Sequence, residues 1–331
     1  MDIQRREALP SLCPTHNRSN RPVTIALVQT RWLRDPKQHR AQLTEGVAAA
    51  ANGGASIVFL PELTLSRYPA DALPKGRADA LAEPLENGPT HQLVAALASQ
   101  FDIWVHASLY EHTGAEDGRG FNTAIVVDPK GNIAAKTRKL HIPVTEGYFE
   151  DRYFEQGPSQ DAYPVHRLPL DSAEIALGLP TCWDEWFPEV ARCYALGGAD
   201  VLCYPTAIGS EPDHPNFDTQ GALRQVVTGH AIANGLFIAV PNRFGGEGRL
   251  SFYGGSFIVD PFGRILAEAS RDSETVLICD LDLGQREDWL TLFPFFATRR
   301  PDTYSAITDS VVNPRLSSGA AELGGIPGIK P

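Results

Sequence analysis

The sequence contains no apolar segment of the roughly 18 residues that a membrane-spanning helix requires. Its first stretch, Met1–Asn20, mixes charged, polar and proline residues without an apolar core, so it does not resemble a secretion signal. We interpret residues 1–21 as a flexible tail. A basic stripe is missing too, and the formal net charge of −11 argues against a nucleic-acid-binding surface.

The chain has few cysteines, and their spacing indicates neither a disulfide framework nor a metal site. The chain has five cysteines, at positions 13, 182, 193, 203 and 279, and no CxxC pair. An odd number without such spacing fits neither a set of disulfides nor a zinc site. The simplest interpretation is a protein of a reducing, cytoplasmic setting. The sequence also has no HExxH, Walker or GxGxxG pattern, so no motif of this kind indicates a metalloprotease or a nucleotide-binding site.

Short apolar runs rich in β-branched residues alternate with helical segments, which predicts an α/β fold. Continuous apolar runs such as Ala55–Leu60 are typical of strands that are covered on both faces. The predicted strands are Thr24–Thr30, Ala55–Leu60, Ile103–Tyr110, Glu174–Cys182, Ala199–Tyr204, Leu236–Val240 and Glu274–Asp280, the hairpins are Phe121–Lys139 and Gly255–Ser270, and the helices are Asp35–Asn52, His91–Gln100, Pro188–Leu196 and Gln220–Ala233.

Two pairs of segments resemble each other and occur in the same order. Gly53–Glu62 parallels Gly197–Thr206, and Ala124–Gly131 parallels Ser256–Gly263. We infer two related α/β halves, each with its own sheet, although such glycine-rich and Asp-Pro turns are common in α/β proteins. No linker-like composition separates the halves, which predicts a single domain from residue 22 to 305. The remaining residues, 306–331, are expected to form an extended tail.

Cys182 has the position best suited to chemistry among the cysteines. It lies between a predicted strand and a predicted helix, a kind of turn at which α/β proteins assemble their sites. A nearby helix N-terminus favours the thiolate, and the flanking Trp183 and Trp186 would exclude water. The alternative is a packed core cysteine, which is what we expect of Cys193, Cys203 and Cys279.

Three further residue types could take part. Glu62 ends a buried strand, where a carboxylate is costly unless it is paired or its pKa rises. It is a candidate general base or else a solvated loop residue. Lys139 ends a hairpin, where a solvated charge is the common outcome. His141 and His230 could each pair with the cysteine in a papain-like dyad, but their spacing favours no such pair.

Three segments taken together resemble the nitrilase superfamily of carbon–nitrogen hydrolases. They are FLPEL at Phe59–Leu63, RKLHIP at Arg138–Pro143 and CWDEWFPE at Cys182–Glu189, and the similarity extends over about residues 22–305. The resemblance implies a four-layer αββα sandwich with two mixed β-sheets. It also implies a Glu–Lys–Cys catalytic set in this chain order.

By that resemblance, Cys182 is the nucleophile, Glu62 is the general base and Lys139 stabilises the tetrahedral intermediate. A second glutamate with a supporting role falls at Glu150, with Glu146 as the weaker candidate. The residues that we expect to bind substrate are Tyr68, Trp183, Trp186, Pro205 and Thr206. No metal or organic cofactor is expected, and relatives usually form homodimers or larger homo-oligomers through their helices.

The motif around the cysteine narrows the substrate. Cys182-Trp-Asp184 resembles the amidase and carbamoylase branches, whereas nitrilases of the superfamily generally carry Cys-Trp-Glu. Tyr204–Pro212 and Gly229–Asn234 are most similar to the branch that acts on N-carbamoylputrescine, with β-ureidopropionases close by. Leu63–Pro69 and Gly221–Arg224 depart from that branch, which leaves the tail of the substrate open. We therefore expect an N-carbamoyl amine or amino acid, with an aliphatic amidase, a nitrilase or a binding protein without turnover as alternatives.

Overall fold

The computed structural model describes residues 1–16 and 18–309 of the 331-residue chain. Most of the predicted C-terminal tail, residues 310–331, lies outside the described residues. Its first part, 306–309, belongs to a short 3-10 turn at Ser305–Thr308 and the residue after it. Within the described ranges, no helix is both long enough and apolar enough to cross a membrane.

The elements follow the order that the apolar runs predict, with additional short strands. The strands are β1 (Asp2–Arg6), β2 (Pro22–Gln29), β3 (Ile57–Phe59), β4 (Trp104–Glu111), β5 (Phe121–Val127), β6 (Ile133–Arg138), β7 (Val144–Thr145), β8 (Tyr148–Phe149), β9 (His166–Pro169), β10 (Glu174–Gly178), β11 (Val201–Cys203), β12 (Phe237–Val240), β13 (Phe244–Glu247), β14 (Leu250–Tyr253), β15 (Phe257–Val259), β16 (Ile265–Glu268) and β17 (Thr275–Asp282). The helices are α1 (Pro36–Asn52), α2 (Pro89–Phe101), α3 (Pro188–Leu196), α4 (Gln220–Asn234) and α5 (Gln285–Leu292).

Helix ends fall where the local chemistry requires them. The Asp35 side chain accepts a hydrogen bond from the Lys37 backbone N–H at 2.9 Å, which caps the first turn of α1. Pro36 occupies the first helical position, where a missing N–H costs nothing. α4 ends at Gly235, whose φ of 60° lies in the left-handed region that glycine adopts without penalty.

The two halves repeat the same topology. The first sheet has the strand order β1-β17-β2-β3-β4-β5-β6, and the second sheet has the order β16-β15-β12-β11-β10-β9. In the first half β2, β3 and β4 are parallel and β5 and β6 follow antiparallel. In the second half β10, β11 and β12 are parallel and β15 and β16 follow antiparallel. Even the register irregularity recurs, at Val126/Val127 and at Ile258/Val259, so the inference of two related halves is confirmed.

The two sheets pack face to face and helices cover their outer faces. Their shared core joins Ile25 and Phe59 of the first sheet to Leu177 and Val201 of the second, all of them fully buried. Side chains of α1 and α2 pack on the outer face of the first sheet, and those of α3 and α4 pack on the second. The predicted four-layer αββα sandwich is therefore confirmed.

The N-terminal residues differ from the predicted flexible tail. Asp2–Arg6 form β1, which pairs in parallel with β17 at the edge of the first sheet. Further along, Thr15 donates to Asp288 from both its backbone N–H and its hydroxyl. Both faces of β1 are largely exposed and its side chains are mostly polar, so hydrophobic periodicity gives no signal. Backbone pairing with β17 defines this strand.

Candidate active site

Three of the predicted residues follow strands that end at one edge of the sandwich. Glu62 follows β3, and Lys139 follows β6 of the same sheet. Two successive antiparallel pairings turn β6 back into the direction of β3 and β4, so these strands end at the same edge. Cys182 follows β10 of the second sheet and interacts electrostatically with both residues. Packing of one sheet on the other therefore brings them together.

Lys139 lies between two buried carboxylates. Its Nζ donates to Glu62 Oε1 at 3.0 Å and to the two carboxylate oxygens of Glu150 at 2.9 and 2.7 Å. None of the three side chains is more than 1% exposed. An ammonium group has three donor protons, and its three contacts here are shared between the two acids, with two of them going to the single carboxylate of Glu150. The interpretation of Lys139 and Glu62 as solvated surface charges is wrong.

The Glu62 carboxylate is held by one oxygen and left unpaired at the other. Its Oε1 accepts from Asn122 Nδ2 at 2.7 Å in addition to Lys139. Ser108 donates to the Asn122 carbonyl oxygen at 3.1 Å, which fixes the orientation of that amide. Glu62 Oε2 is buried and has no hydrogen-bond partner among the described residues. One oxygen is thus anchored while the other is available to accept a proton.

The charges of the cluster set one another's pKa values. Burial lowers the pKa of Lys139, but Glu150 and Glu62 outweigh burial and hold that pKa well above its usual range. Burial raises the pKa of Glu150 to about 7, an effect that Lys139 opposes and Glu62 strengthens. Lys139 is therefore charged at neutral pH, whereas Glu150 is partly protonated there.

The second glutamate that contacts Lys139 is Glu150, which begins a 3-10 turn directly after β8. Its Oε1 also accepts a hydrogen bond from the Tyr68 hydroxyl at 2.8 Å. Glu146 instead pairs with Arg249 at 2.5 Å on the surface, where its side chain is 33% exposed. The cluster therefore contains Glu150 and not Glu146.

The backbone turns sharply at Cys182. The predicted strand Glu174–Cys182 ends at Gly178, and Cys182 adopts a φ of 46° in the left-handed region as it begins the 3-10 helix Cys182–Trp186. The Cys182 N–H donates to the Pro205 carbonyl oxygen at 3.1 Å. A non-glycine residue in this region stores strain, and such residues cluster at functional sites. β10 therefore ends before the predicted strand does, and Pro180, which has no N–H for the ladder, lies between its end and the turn.

Burial decides the protonation of Cys182. The expectation that a helix N-terminus favours its thiolate is not met, because burial raises the pKa of the thiol well above its usual range. Glu62 adds to this shift and Lys139 opposes it. The helix of that expectation, α3, begins only at Pro188, and the 3-10 helix that begins at Cys182 has only five residues, too short for a strong terminal dipole. The resting side chain is a thiol, which needs a base before it can attack.

Both histidines have other roles than a dyad. His141 Nδ1 lies 2.7 Å from Asp184 Oδ1, and its ring stacks on Phe187 with the centroids 3.8 Å apart. Asp184 also accepts from the His141 backbone N–H, so this pair ties the Cys182 turn to the segment after Lys139. His230 lies on α4 and lines a surface cleft with residues of α3. The charged groups that most affect the pKa of Cys182 are Glu62 and Lys139 rather than either histidine.

A cavity opens beside Cys182. The residues that line it are Pro143, Thr145, Tyr148, Glu150, Cys182, Trp183, Ala207, Ile208 and Glu211. Most of these side chains are apolar, and the two carboxyl groups are Glu150 and Glu211. Glu150 belongs to the buried cluster, whereas Glu211 is only half-buried. The cavity therefore has a reacting end at Cys182 and a second acidic group.

Of the five residues expected to bind substrate, Trp183 lines this cavity and the other four do not. Tyr68 is fully buried and supports Glu150. Pro205 receives the Cys182 N–H, and the fully buried Thr206 donates its hydroxyl to the Tyr204 carbonyl. Trp186 packs on the core that α3 and α4 share with the second sheet. These four residues are not among those that line the cavity.

Several residues of the site escaped the sequence analysis. Thr145 and Glu211 line the cavity, and Asn122 holds Glu62. Glu211 lies in Tyr204–Pro212, a segment that carries the family resemblance. The sequence therefore marked the segment but did not indicate a function for Glu211 itself. Asn122 sits at the start of a hairpin strand and has no local signal. Glu185, three residues after the cysteine, is fully buried, and burial and then Glu62 raise its pKa well above the usual range.

Of the three cysteines expected to be packed in the core, Cys203 and Cys279 are, whereas Cys193 is partly exposed. Cys203 and Cys279 lie in the core between the sheets, as expected for cysteines in strands. Cys193 lies on α3 and Cys13 near the N-terminus, and both are partly exposed. All five cysteines are free, so the chain has no disulfide among its described residues. Cys182 alone combines a cavity with neighbouring charged groups.

Comparison with proteins of known sequence identifies the same family. The family model of carbon–nitrogen hydrolases matches residues 24–290. The citrullinase of Francisella tularensis subsp. tularensis is 34% identical over 289 residues, covering 86% of this chain and 98% of that protein. The N-carbamoylputrescine amidase of Solanum lycopersicum is 33% identical over 296 residues, covering 87% of this chain and 95% of that protein.

Solved structures share the fold. A carbon–nitrogen hydrolase from Helicobacter pylori G27 superimposes with a TM-score of 0.79 at 31% identity, covering 88% of this chain and 100% of that one. A cysteine-to-alanine mutant of the Nesterenkonia AN1 amidase, from the nitrilase superfamily, gives a TM-score of 0.69 at 25% identity, with 89% and 99% coverage. The protein is thus a hydrolase that acts on carbon–nitrogen bonds other than peptide bonds, and the chain belongs to the carbon–nitrogen hydrolase family.

Proposed function

We propose that the protein hydrolyses the terminal ureido group of a small N-carbamoyl amine or amino acid whose far end carries a cation. The observation that carries this proposal is the cavity that holds Cys182 together with a separate carboxylate, Glu211. The names of the two curated relatives, a citrullinase and an N-carbamoylputrescine amidase, both denote substrates with a ureido group and an amine. The proposal joins that chemistry to the charge in this cavity.

Glu211 suits a cationic tail because no lysine or arginine of the described residues is paired with its carboxylate. Burial raises the pKa of Glu211 and His214 lowers it, and no lysine or arginine of the described residues contributes. A half-buried carboxylate without a cation gains by binding an ammonium group, since a charge-assisted hydrogen bond offsets the lost hydration. A neutral substrate would leave Glu211 unpaired in the cavity.

In the first step, Glu62 takes the proton of Cys182 and the sulfur attacks the ureido carbon. Glu62 Oε2 is the atom proposed to receive this proton, because it has no other partner among the described residues. Lys139 and the Trp183 backbone N–H are proposed to hold the oxyanion. The Trp183 N–H lies in the first turn of a helix, where amides have no intrahelical acceptor. The carbon–nitrogen bond to the terminal NH2 breaks, and ammonia leaves with the proton from Glu62.

In the second step, a water molecule attacks the S-carbamoyl intermediate. Glu62 takes a proton from the water, the carbon–sulfur bond breaks, and the thiol of Cys182 recovers its proton. The product is a carbamic acid, which separates into the amine and CO2. One water molecule is consumed for each ureido group, giving one amine, one CO2 and one ammonia. The chain's own residues supply each proton transfer in this scheme.

The substrate class is tested by ammonia release from a panel of compounds. The panel contains N-carbamoylputrescine, citrulline, N-carbamoyl-β-alanine, a simple aliphatic amide and an aliphatic nitrile. We expect the ureido compounds with a cationic end to turn over fastest, and the Cys182→Ala variant to release no ammonia. Preference for the amide or the nitrile would establish an aliphatic amidase or nitrilase instead. No turnover, with a Cys182 that fails to react with a thiol probe at neutral pH, would favour a binding protein.

The role of Glu211 is tested by the Glu211→Gln variant. We expect the KM for N-carbamoylputrescine to rise about tenfold, because a charge-assisted hydrogen bond is lost. The KM for N-carbamoylbutylamine, which has the same four-carbon chain and no ammonium group, should not change. Glu146→Gln is the matched control, since Glu146 is a surface acid already paired with Arg249. An equal effect on both substrates would contradict a cation site at Glu211.

A further inference from the structure

A buried ion pair of the second half reaches into the first half behind the cluster. Arg243 precedes β13 and Glu247 ends it, and Arg243 Nη1 lies 2.6 Å from Glu247 Oε1. Both side chains are at most 4% exposed. A buried pair of this kind gives little net stability, because desolvation of the two charges opposes their attraction. Its contacts therefore need another explanation.

Arg243 forms hydrogen bonds with the backbone at Glu62. Arg243 Nη2 donates to the carbonyl oxygens of Glu62 at 2.6 Å and Leu63 at 2.9 Å. Leu63 has a φ of 50°, in the left-handed region that costs a leucine conformational energy. The guanidinium thus holds a strained turn at the residue whose side chain contacts Lys139. Arg243 also forms longer hydrogen bonds to the Ser66 carbonyl oxygen in the same loop.

The glutamate holds the other acid through Tyr68. Glu247 Oε2 accepts the Tyr68 backbone N–H at 2.8 Å, and the Tyr68 hydroxyl donates to Glu150 Oε1 at 2.8 Å. Tyr68 is fully buried, and its ring packs edge-on against Tyr148 of the cavity wall. The Glu247 carboxylate therefore binds Arg243 with Oε1 and, with Oε2, binds Tyr68, the residue whose hydroxyl supports Glu150.

We propose that Arg243 and Glu247 are positioning residues that set the places of both acids of the cluster. Arg243 holds the main chain of Glu62, and Glu247 holds Tyr68, which in turn holds Glu150. Neither residue lines the cavity, so both act through others. The inference rests on the proposed function in one respect, namely that Glu62 removes the Cys182 proton.

Lysine cannot replace Arg243 in this arrangement. A guanidinium presents several donors in a fixed plane, and here two nitrogens reach two carbonyls and a carboxylate at the same time. An ammonium group on a flexible stem keeps the charge but not this geometry. Arg243→Lys therefore leaves the Glu247 charge compensated while loosening the turn at Glu62.

The test is the rate at which iodoacetamide alkylates Cys182, followed by mass spectrometry of the peptide that contains it. Peptide detection is needed because Cys13 and Cys193 are partly exposed. In Arg243→Lys we expect alkylation at pH 7 to slow by at least about tenfold, with its pH profile shifted upward, since the thiol has lost a placed base. With the best substrate of the panel, kcat should fall by about 10²-fold with KM within about twofold, the usual cost of a misplaced catalytic group.

Arg264→Lys is the matched control. Arg264 forms the same kind of i,i+4 pair, with the buried Asp260 at 2.6 Å, and also donates to a main-chain carbonyl, that of Pro10; its own side chain is 22% exposed. It lies in the β15–β16 turn, at the edge of the second sheet opposite the cavity. We expect this variant to show a lowered melting temperature with unchanged alkylation and KM. A folded Arg243→Lys protein that is alkylated at the wild-type rate and pH would overturn the proposal.

A double-mutant cycle tests the branch through Glu247. Glu247→Gln and Tyr68→Phe should each lower kcat, and the double variant should fall no further than the worse single variant, within about twofold. Effects that multiply would overturn a shared path through Tyr68. The failure of the proposed function is distinguishable. In that case Cys182 would be alkylated at the same rate in the Glu62→Gln variant as in the wild-type protein.

Discussion

Replacing Glu62 with glutamine is expected to lower turnover by a factor of about 10²–10⁴, the range for loss of a general base. The thiol of Cys182 is buried and its pKa is raised, so it does not ionise by itself at neutral pH. Glutamine keeps the volume of the side chain. Its carbonyl oxygen would keep the bonds from Asn122 and Lys139 that Glu62 Oε1 accepts, which turns an NH2 donor toward the place of Oε2. An acceptor of protons is thus exchanged for a donor without a cavity.

The measurement is kcat/KM by ammonia release together with the alkylation rate of Cys182. Both should fall, because both need a deprotonated sulfur. Glu83→Gln is the control: Glu83 is a buried acid bonded to Thr90, outside the cluster, and its replacement should leave both rates unchanged. A Glu62→Gln protein that retains wild-type alkylation would mean that another group removes the proton. His141→Ala and His230→Ala would then be the variants to compare.

Much of the fold could be predicted because its information is local. Continuous apolar runs identify β3 and β11, Asp35 marks the start of α1, and the repeated Asp-Pro turns identify the two hairpins. The matching irregularities at Val126 and Ile258 show that these local patterns persist at the level of register. A strand such as β1 is different, because its side chains are mostly exposed and only its backbone pairs.

The residues of the site also fall into those that a local sequence motif predicts and those that it does not. Glu62, Lys139 and Cys182 each occupy a recognisable local motif, and order along the chain relates them. Arg243 and Glu247 have no such motif, because their partners at Glu62 and Tyr68 lie far away in sequence. The burial of Lys139 could not be predicted either, since a lysine beside an arginine in a hairpin is usually solvated. Two acids from separate segments reverse that outcome.

The protonation of Cys182 illustrates why local rules can fail at a site. A position near a helix N-terminus lowers a thiol pKa where solvent or a long helix stabilises the thiolate. Here the helix is short, the thiol is enclosed, and Glu62 adds a negative charge nearby. Burial and charge are properties of the packed protein, so the sign of this shift is not available from the sequence around the cysteine.

Replacing Lys139 with methionine should affect both stability and turnover. The variant leaves the carboxylates of Glu62 and Glu150 buried without a cation, and loss of one partner of a buried pair costs about 3–5 kcal/mol in the free energy of unfolding. If Lys139 holds the oxyanion, turnover should also fall by about 10²–10³-fold. Denaturant unfolding and ammonia release measure the two effects.

The loss of stability should depend on pH in a defined direction. Lys139 lowers the pKa of Glu150, so its removal raises that pKa further in the folded protein. A carboxyl whose folded pKa exceeds its unfolded pKa stabilises the fold at low pH, and this contribution is lost as the pH rises. Lys139→Met should therefore be closer to the wild type in stability at pH 5.5 than at pH 8. An opposite trend would contradict the charge balance of the cluster.

A second substitution separates the structural role of Lys139 from its role in turnover. Lys139→Met combined with Glu150→Gln removes one of the two uncompensated acids, so part of the lost unfolding free energy should return and its pH dependence should weaken. Turnover should not return, because no cation remains beside the attacked carbon. If turnover recovered along with stability, Lys139 would be a counter-ion for the two acids and the oxyanion would be held by backbone amides alone.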